Sequence, residues 1–290
     1  MFSGELKCHR CDECDGFGCP DMLPGLGGVM EGQNFQANVQ AWKDLYDENA
    51  EKIEIKSSVI RCGPVTGAVE NIGFENERDF YLPYLENAYN AGFGLCIGDG
   101  CPDEKLKYGI EAVKKLKQEN KNVNAAFFLK PYPQSRLFER VEWVKPFADY
   151  IGIDIDSYNI LTMRDLVNLE RKTAVQLEEF REKTQLPFVI KGVFTKEDLE
   201  LVKEVLPDVV YISNHGGRVE TRSGSTAEYL KENAEELKKF CKEIWVDGGI
   251  RTKKDIQTAL LYGADQVIMA RPFIRATIDG NFKETIQNLL

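Results

Sequence analysis

Residues 187–218 read PFVIKGVFTKEDLELVKEVLPDVVYISNHGGR, and the pattern of this stretch decides the fold. Two apolar, β-branched runs, Pro187–Val193 and Asp208–His215, flank an amphipathic segment, Thr195–Val205. That segment opens on a threonine three residues before Asp198, and a capping hydroxyl followed at this spacing by a carboxylate marks a helix N-terminus. The flanking runs lack polar alternation, as strands buried on both faces of a parallel sheet do. The unit is strand, helix, strand.

Working outward, the unit repeats. Apolar runs also lie at Val59–Pro64, Phe93–Gly100, Asn124–Tyr132, Tyr150–Asp156, Glu243–Ile250 and Gln266–Phe273, which makes eight. Helical patterns fall between them at Arg78–Asn90, Asp103–Asn120, Ser135–Phe147, Thr226–Lys242 and Lys253–Tyr262, and Thr252 repeats the cap ahead of Asp255. Eight βα units in about 230 residues fit the α/β class as a (β/α)8 TIM barrel, which takes about 250, better than an open Rossmann sheet. The expected division is an N-terminal Cys-rich extension and helix over 1–52 and the barrel over 53–290, the helix running from Asn34 to about Asn49.

Composition narrows the function classes. The 290 residues carry 37 Lys plus Arg against 47 Asp plus Glu, a net charge of −10, and 43% of them are hydrophobic. That apolar content builds a core and excludes disorder. No run approaches the roughly 20 apolar residues of a spanning helix, so a membrane protein is not expected. The acidic balance repels phosphate backbones, so nucleic acid is not an expected partner. The start, MFSGELKCHR, lacks the apolar core of a secretory signal, which implies a cytoplasmic, reducing setting without disulfides.

In such barrels the working groups collect at the C-terminal strand ends. Those ends read Gly63–Pro64 with Val65 and Thr66 following, Gly98–Asp99, Lys130, Asp154 with Asp156, and Lys191–Gly192. The last three read Ser213–Asn214–His215–Gly216–Gly217–Arg218, Asp247–Gly248–Gly249–Ile250–Arg251 and Ala270–Arg271. Glycines let backbone N–H groups approach phosphate oxygens, and arginine offers a planar, permanently charged fork. Either of the last two ends alone reads as a tight turn before a solvated helix. In adjacent loops they point to phosphate.

Four segments also carry a resemblance: PFVIKGV at 187–193, YISNHGGR at 211–218, WVDGGIRTKKDI at 245–256 and ARPF at 270–273. In order and spacing they resemble the flavin-binding half of the FMN-dependent 2-hydroxy acid oxidising enzymes, the glycolate oxidase and lactate dehydrogenase family. The whole chain resembles a shorter, anaerobe-type branch with N-terminal cysteines. The resemblance implies FMN as cofactor and oxidation of a 2-hydroxy acid, or a similar alcohol, to the 2-oxo acid. On it, His215 is the base that takes the substrate proton while a hydride equivalent passes to flavin N5, and Asp156 orients His215. Lys191 sits beside the flavin ring and Arg218 clamps the substrate carboxylate. The same resemblance assigns the flavin to Pro64, Val65, Thr66, Gly98, Lys130, Asp154, Lys191, Ser213, Asp247, Gly248, Gly249, Arg251, Ala270 and Arg271.

The chain departs from that family in places. A second carboxylate arginine after strand 4 is replaced by Ser157–Tyr158–Asn159, with Arg164 and Arg171 expected on the helix beyond. Lys130 stands where the family has glutamine, Ala270 where it has glycine, and the chain stops at Leu290, short of the family's closing helical tail. Two other functions share these features: an FMN-dependent isomerase of the type 2 isopentenyl diphosphate isomerase kind, and a flavin and iron–sulfur redox carrier without substrate turnover.

The cysteines add a separate motif. Cys8, Cys11, Cys14 and Cys19, the last followed by Pro20, follow the bacterial ferredoxin spacing with one residue inserted. They are expected to hold a metal centre, an iron–sulfur cluster ahead of zinc. Cys62 and Cys96 read as small buried hydrophobes. Expected partners are a small-molecule substrate, an electron acceptor that the sequence does not name, and further copies of the chain as a homo-oligomer.

Overall fold

The computed structural model describes residues 33–72, 74–119, 122–159, 167–219 and 221–290. Eight strands run β1 Ile60–Cys62, β2 Leu95–Gly98, β3 Ala125–Leu129, β4 Tyr150–Asp154, β5 Phe188–Val193, β6 Val209–Ile212, β7 Glu243–Val246 and β8 Gln266–Met269. Each pairs in parallel with its sequence neighbour from β2 to β8, β1 pairs with β8, and a parallel bridge between Arg61 and Gly94 closes the ring. The chain is a (β/α)8 barrel. Every expected apolar run holds a strand, and most of the strands are shorter than their runs, because the polar strand ends leave the sheet to line the mouth.

The helices are α1 Gln33–Asp44, α2 Arg78–Asn90, α3 Glu104–Glu119, α4 Gln134–Val144 and α5 Ala174–Thr184, then α6 Lys196–Val205, α7 Thr226–Leu237, α8 Lys253–Leu261, α9 Arg271–Asp279 and α10 Phe282–Leu289. The expected caps are made: Thr195 and Thr252 each accept from the backbone N–H of an Asp three residues on, and that Asp reaches back to the cap. Helix α5 is the helix expected beyond strand 4, but Arg171 does not lie on it. The helix opens only at Ala174, because Thr173 and Gln176 form a reciprocal cap there, so Arg171 stays on the exposed approach. Arg164 lies outside the described residues. After β8 the chain continues into α9 and α10, with the Phe282 ring 5.3 Å from that of Phe273.

Side chains alternate along each strand, so one set fills the barrel and the other meets the helices. Cys96, Ala126, Phe128, Val189, Val209, Tyr211, Trp245 and Ile268 form the interior, and the larger outer core joins strands to helices. No helix among the described residues is long and apolar enough to cross a membrane.

Helix α1 ends at Asp44, short of the expected Asn49, and a short 3-10 helix capped by Asp47 follows it. It lies on the loops that follow β6 and β7, burying Phe35, Val39 and Trp42. Two asparagines one turn apart sew it down. Asn34 Nδ2 donates to the Val219 and Arg222 carbonyls, each at 2.8 Å, and Asn38 Nδ2 donates to Asn214 Oδ1 at 2.7 Å. Trp42 Nε1 donates to the Gly248 carbonyl at 2.7 Å.

Candidate active site

Continuing the alternation, the last inward position on each strand faces the C-terminal mouth. These positions are Gly63, Gly98, Lys130, Asp154, Lys191, Ser213, Asp247 and Ala270. All but Gly63 were expected at the cofactor site on other grounds. Pro64, Val65 and Thr66 follow from β1 as a half-buried lip.

The ends of β4, β5 and β6 bring together an acid–base cluster. His215 Nδ1 lies 3.0 Å from Asp156 Oδ1 and 3.7 Å from Asp154 Oδ1, and Lys191 Nζ donates to Asp154 Oδ1 at 2.7 Å. Local backbone makes this possible. The β5–β6 register slips between Lys191 and Val193. Gly192, at the slip, has φ +97°, and a Cβ there would stand 2.7 Å from Asp156 Cγ. His215, Gly216 and Gly217 then turn left-handed in succession, with φ of 58°, 66° and 89°. For His215 that is strain, of the kind that persists where surroundings over-determine it. Asn214 Oδ1 accepts from the Gly217 N–H at 2.9 Å, and Asn214 is itself locked to Asn38 of α1. Helix α1 therefore fixes the loop that carries the histidine.

Electrostatics set the protons. Burial would raise Asp154, but Lys191 and then His215 override it and hold the carboxyl far below its usual range. Asp156, buried beside that ionised neighbour, is pushed well up. Enclosure drives His215 well below 6.5 against the pull of Asp154. Burial would also depress Lys191, yet Asp154, Asp156 and Asp247 keep it charged. The imidazole is thus neutral near pH 7, and with Nδ1 engaged by Asp156 its Nε2 can accept a proton. Asp154, Asp156 and His215 bring ligand atoms within 4.8 Å of one another, a metal-like grouping, but the ammonium of Lys191 already supplies the cation there.

On the other side of His215 three guanidiniums gather. Gly216 lies between Arg218 and Arg271, whose Nη1 atoms are 3.6 Å and 3.5 Å from the place of its missing Cβ. Arg271 is pushed well down by enclosure and by the like charges of Arg218 and Arg251, and Arg218 by enclosure to about 10, with Asp247 the opposing charge in both cases. Three neighbouring guanidiniums can hold an anion, and the phosphate of FMN fits such a setting. Gly249 has a further reason to be glycine: a Cβ there would stand 2.1 Å from the Asn38 carbonyl oxygen of α1.

Sequence reasoning did not single out several supporting residues. Tyr211 Oη donates to Asp247 Oδ2 at 2.8 Å. The fully buried Arg140 donates from Nε to Asp99 Oδ2 at 3.0 Å and also pairs with Asp103. Asn34 and Asn38 did offer a signal, a polar pair at i, i+4 on the face that also carries Phe35, Val39 and Trp42. Cys62 and Cys96 are buried, and burial first, then Cys96, pushes the Cys62 thiol up to about 12. Cys8, Cys11, Cys14 and Cys19 lie outside the described residues.

A barrel that gathers a carboxylate-paired imidazole and three guanidiniums at one mouth has the form of an enzyme with a phosphorylated cofactor. The model of the FMN-dependent dehydrogenase family matches residues 117–282, more than half of the chain and the span from Lys130 to Arg271. The chain belongs to the FMN-dependent dehydrogenase family, and FMN is its cofactor. It is 41% identical over 104 residues to the L-lactate dehydrogenase (cytochrome) of Saccharomyces cerevisiae, across 34% of this chain and 18% of that protein. It is 38% identical over 98 residues to 2-hydroxyacid oxidase 2 of Bos taurus, across 34% of this chain and 28% of that protein. These matches span less than a third of either relative. The fold matches mandelate oxidase solved with (S)-2-phenylpropionate at a TM-score of 0.69 and 20% identity, over 93% of this chain and 89% of that one.

Proposed function

We propose that this protein oxidises a 2-hydroxy acid, or a similar alcohol, to the corresponding 2-oxo compound. The observation that carries the reading is the His215–Asp156 pair at 3.0 Å, set between a charged Lys191 and the arginine cluster. The lactate dehydrogenase and 2-hydroxyacid oxidase relatives support the substrate class.

In this reading Gly248, Gly249, Arg251 and Arg271 hold the phosphate end of FMN. Pro64, Val65, Thr66, Gly98, Lys130, Asp154, Lys191, Ser213, Asp247 and Ala270 line the ring end. FMN held there would supply the acceptor for the two electrons and the hydrogen that leave the substrate's C2. His215 Nε2 takes the hydroxyl proton, and Asp156 stabilises the imidazolium that forms. Arg218 pairs with the carboxylate, and Lys191 offers fixed positive charge where negative charge grows. The test is anaerobic bleaching of the flavin by lactate, glycolate and mandelate in turn. Reduction by at least one supports the reading, while a flavin that none of them nor any other 2-hydroxy acid reduces would favour a redox carrier.

The spacing of Cys8, Cys11, Cys14 and Cys19 supports one metal centre on the 1–52 extension, serving the 53–290 barrel as an electron relay. Iron and acid-labile sulfide in anaerobic preparations would mark it as iron–sulfur, and zinc without sulfide as a structural clip.

A further inference from the structure

The other cations around His215 have partners. Lys191 holds Asp154 at 2.7 Å, Arg218 Nη1 donates to the His215 carbonyl at 3.2 Å, and Arg140 holds Asp99 at 3.0 Å. Lys130 is different. It is 6% exposed, and its ammonium makes no hydrogen bond and no ion pair among the described residues. Its backbone is engaged: the N–H donates to Asp99 Oδ2 at 3.2 Å and the carbonyl accepts from the Tyr132 N–H at 2.8 Å.

The place of this side chain is informative. It follows β3 directly, at the next inward position, beside Asp154 at the end of β4. Burial pulls its pKa down, and the charges that act on it are Asp154, Asp99, Lys191 and Asp156. Buried and directly beside Asp154 in the β3–β4 register, the side chain belongs to the mouth that holds the acid–base pair. Leaving an ammonium there without a contact partner is costly, and a bound anion removes that cost.

We propose that Lys130 is an anion anchor of the mouth, whose ammonium binds an anionic oxygen placed beside His215. Two sources can supply that oxygen: the carboxylate of the substrate, or the flavin ring once reduction has made it anionic. The inference rests on the reading of this mouth as a flavin and hydroxy-acid site. It extends that reading by giving the missing second arginine of the carboxylate clamp a replacement from a different strand.

The test uses FMN-loaded wild type, Lys130→Met and Lys130→Arg, with oxalate as a carboxylate that cannot be oxidised at the site. Oxalate affinity is read from the flavin absorbance change, and the flavin potential from equilibration with reference dyes. If the carboxylate is the occupant, Lys130→Met weakens oxalate about 10- to 100-fold, the range of one charge-assisted hydrogen bond, while Lys130→Arg stays near wild type. If the ring is the occupant, Lys130→Met lowers the flavin potential and leaves oxalate affinity alone. Unchanged oxalate affinity together with unchanged potential in Lys130→Met overturns the proposal. Should that variant fail to retain FMN, Lys130→Gln carries the same comparison against Lys130→Arg. A wild type that binds oxalate but is reduced by no 2-hydroxy acid would end the proposed function and leave the Lys130 assignment standing. A wild type reduced by a hydroxy acid, with both readouts indifferent to Lys130, would do the reverse.

Discussion

The two ends of the barrel hold charge in opposite ways. At the floor, Arg61 is 1% exposed and spends its donors on neutral acceptors. Nε reaches Cys96 Sγ at 3.4 Å and Nη1 reaches Gln266 Oε1 at 3.1 Å, while Nη2 reaches the Leu95 carbonyl at 3.0 Å and Asn124 Oδ1 at 2.8 Å. The guanidinium stacks over Trp245 at 4.4 Å, and no described carboxylate pairs with it. At the mouth, charges face charges: Asp154 is held down, Asp156 and His215 are displaced from their usual ranges in opposite directions, and His215 carries backbone strain. The same strand alternation delivers both ends. A shell of uncharged acceptors suits rigidity, whereas a crowd of mutually perturbed groups suits proton transfer.

The comparison breaks most visibly at His215. His215→Ala should cut flavin reduction by a confirmed substrate about 10²–10⁴-fold, the usual worth of general-base help, with FMN retained and the urea midpoint nearly unmoved. Asp156→Asn should do less damage. Arg61→Met should behave in the opposite way. It strips donors from buried acceptors, so a loss of about 3 kcal/mol in unfolding free energy is expected, with turnover per folded molecule unaltered. Full stability in Arg61→Met, or native reduction rates in His215→Ala, would show that the two ends are not divided in this way.

A pH series sharpens the same contrast. His215 stays neutral below the ordinary imidazole value, so kcat/KM should hold level as pH falls through 6.5 and decline only beneath it. Stability has a definite sign as well. In the window below 6.5 the unfolded chain takes up a proton that folded His215 refuses, so this group makes stability fall as pH falls. Unfolding free energy measured from pH 5 to 7 should slope less in His215→Ala than in wild type.

What was legible in the sequence follows from range. Strands β1 to β8 showed themselves as local apolar runs, and the caps at Thr195 and Thr252 as local spacing. The mouth was legible because each strand end places its polar residues in one short string, such as Ser213 to Arg218. Arg61 was not, since its partners Asn124 and Gln266 lie 63 and 205 residues away. The helix beyond strand 4 was expected but not its bounds, because the buried residues of α5, Ala174, Leu177, Phe180 and Thr184, include only two large apolar side chains, too few for a clear stripe. The role of α1 in fixing the His215 loop was equally hidden, because it depends on Asn38 meeting Asn214 across 176 residues.

Tyr211 joins the two ends and gives the smallest expected effect. Its ring lies in the interior, 5.3 Å from Phe128 and 6.2 Å from Trp245, while its hydroxyl donates to Asp247 at the mouth. Burial and then Asp247 push the phenol's pKa far up, so the hydroxyl stays a donor throughout the working pH range. Tyr211→Phe keeps the ring and deletes only the mouth contact. The loss should be about 1 kcal/mol in urea unfolding, the net worth of one hydrogen bond. Asp247, already raised by burial, loses a donor that was lowering it and becomes a weaker counter-charge for Arg218 and Arg271. FMN affinity, followed by the fluorescence of released flavin, should therefore change a few-fold while the floor stays intact. A loss of several kcal/mol would mean that the ring, not the hydroxyl, had been disturbed and that floor and mouth are mechanically one. No change in either measurement would mean that Tyr211 belongs to the floor alone.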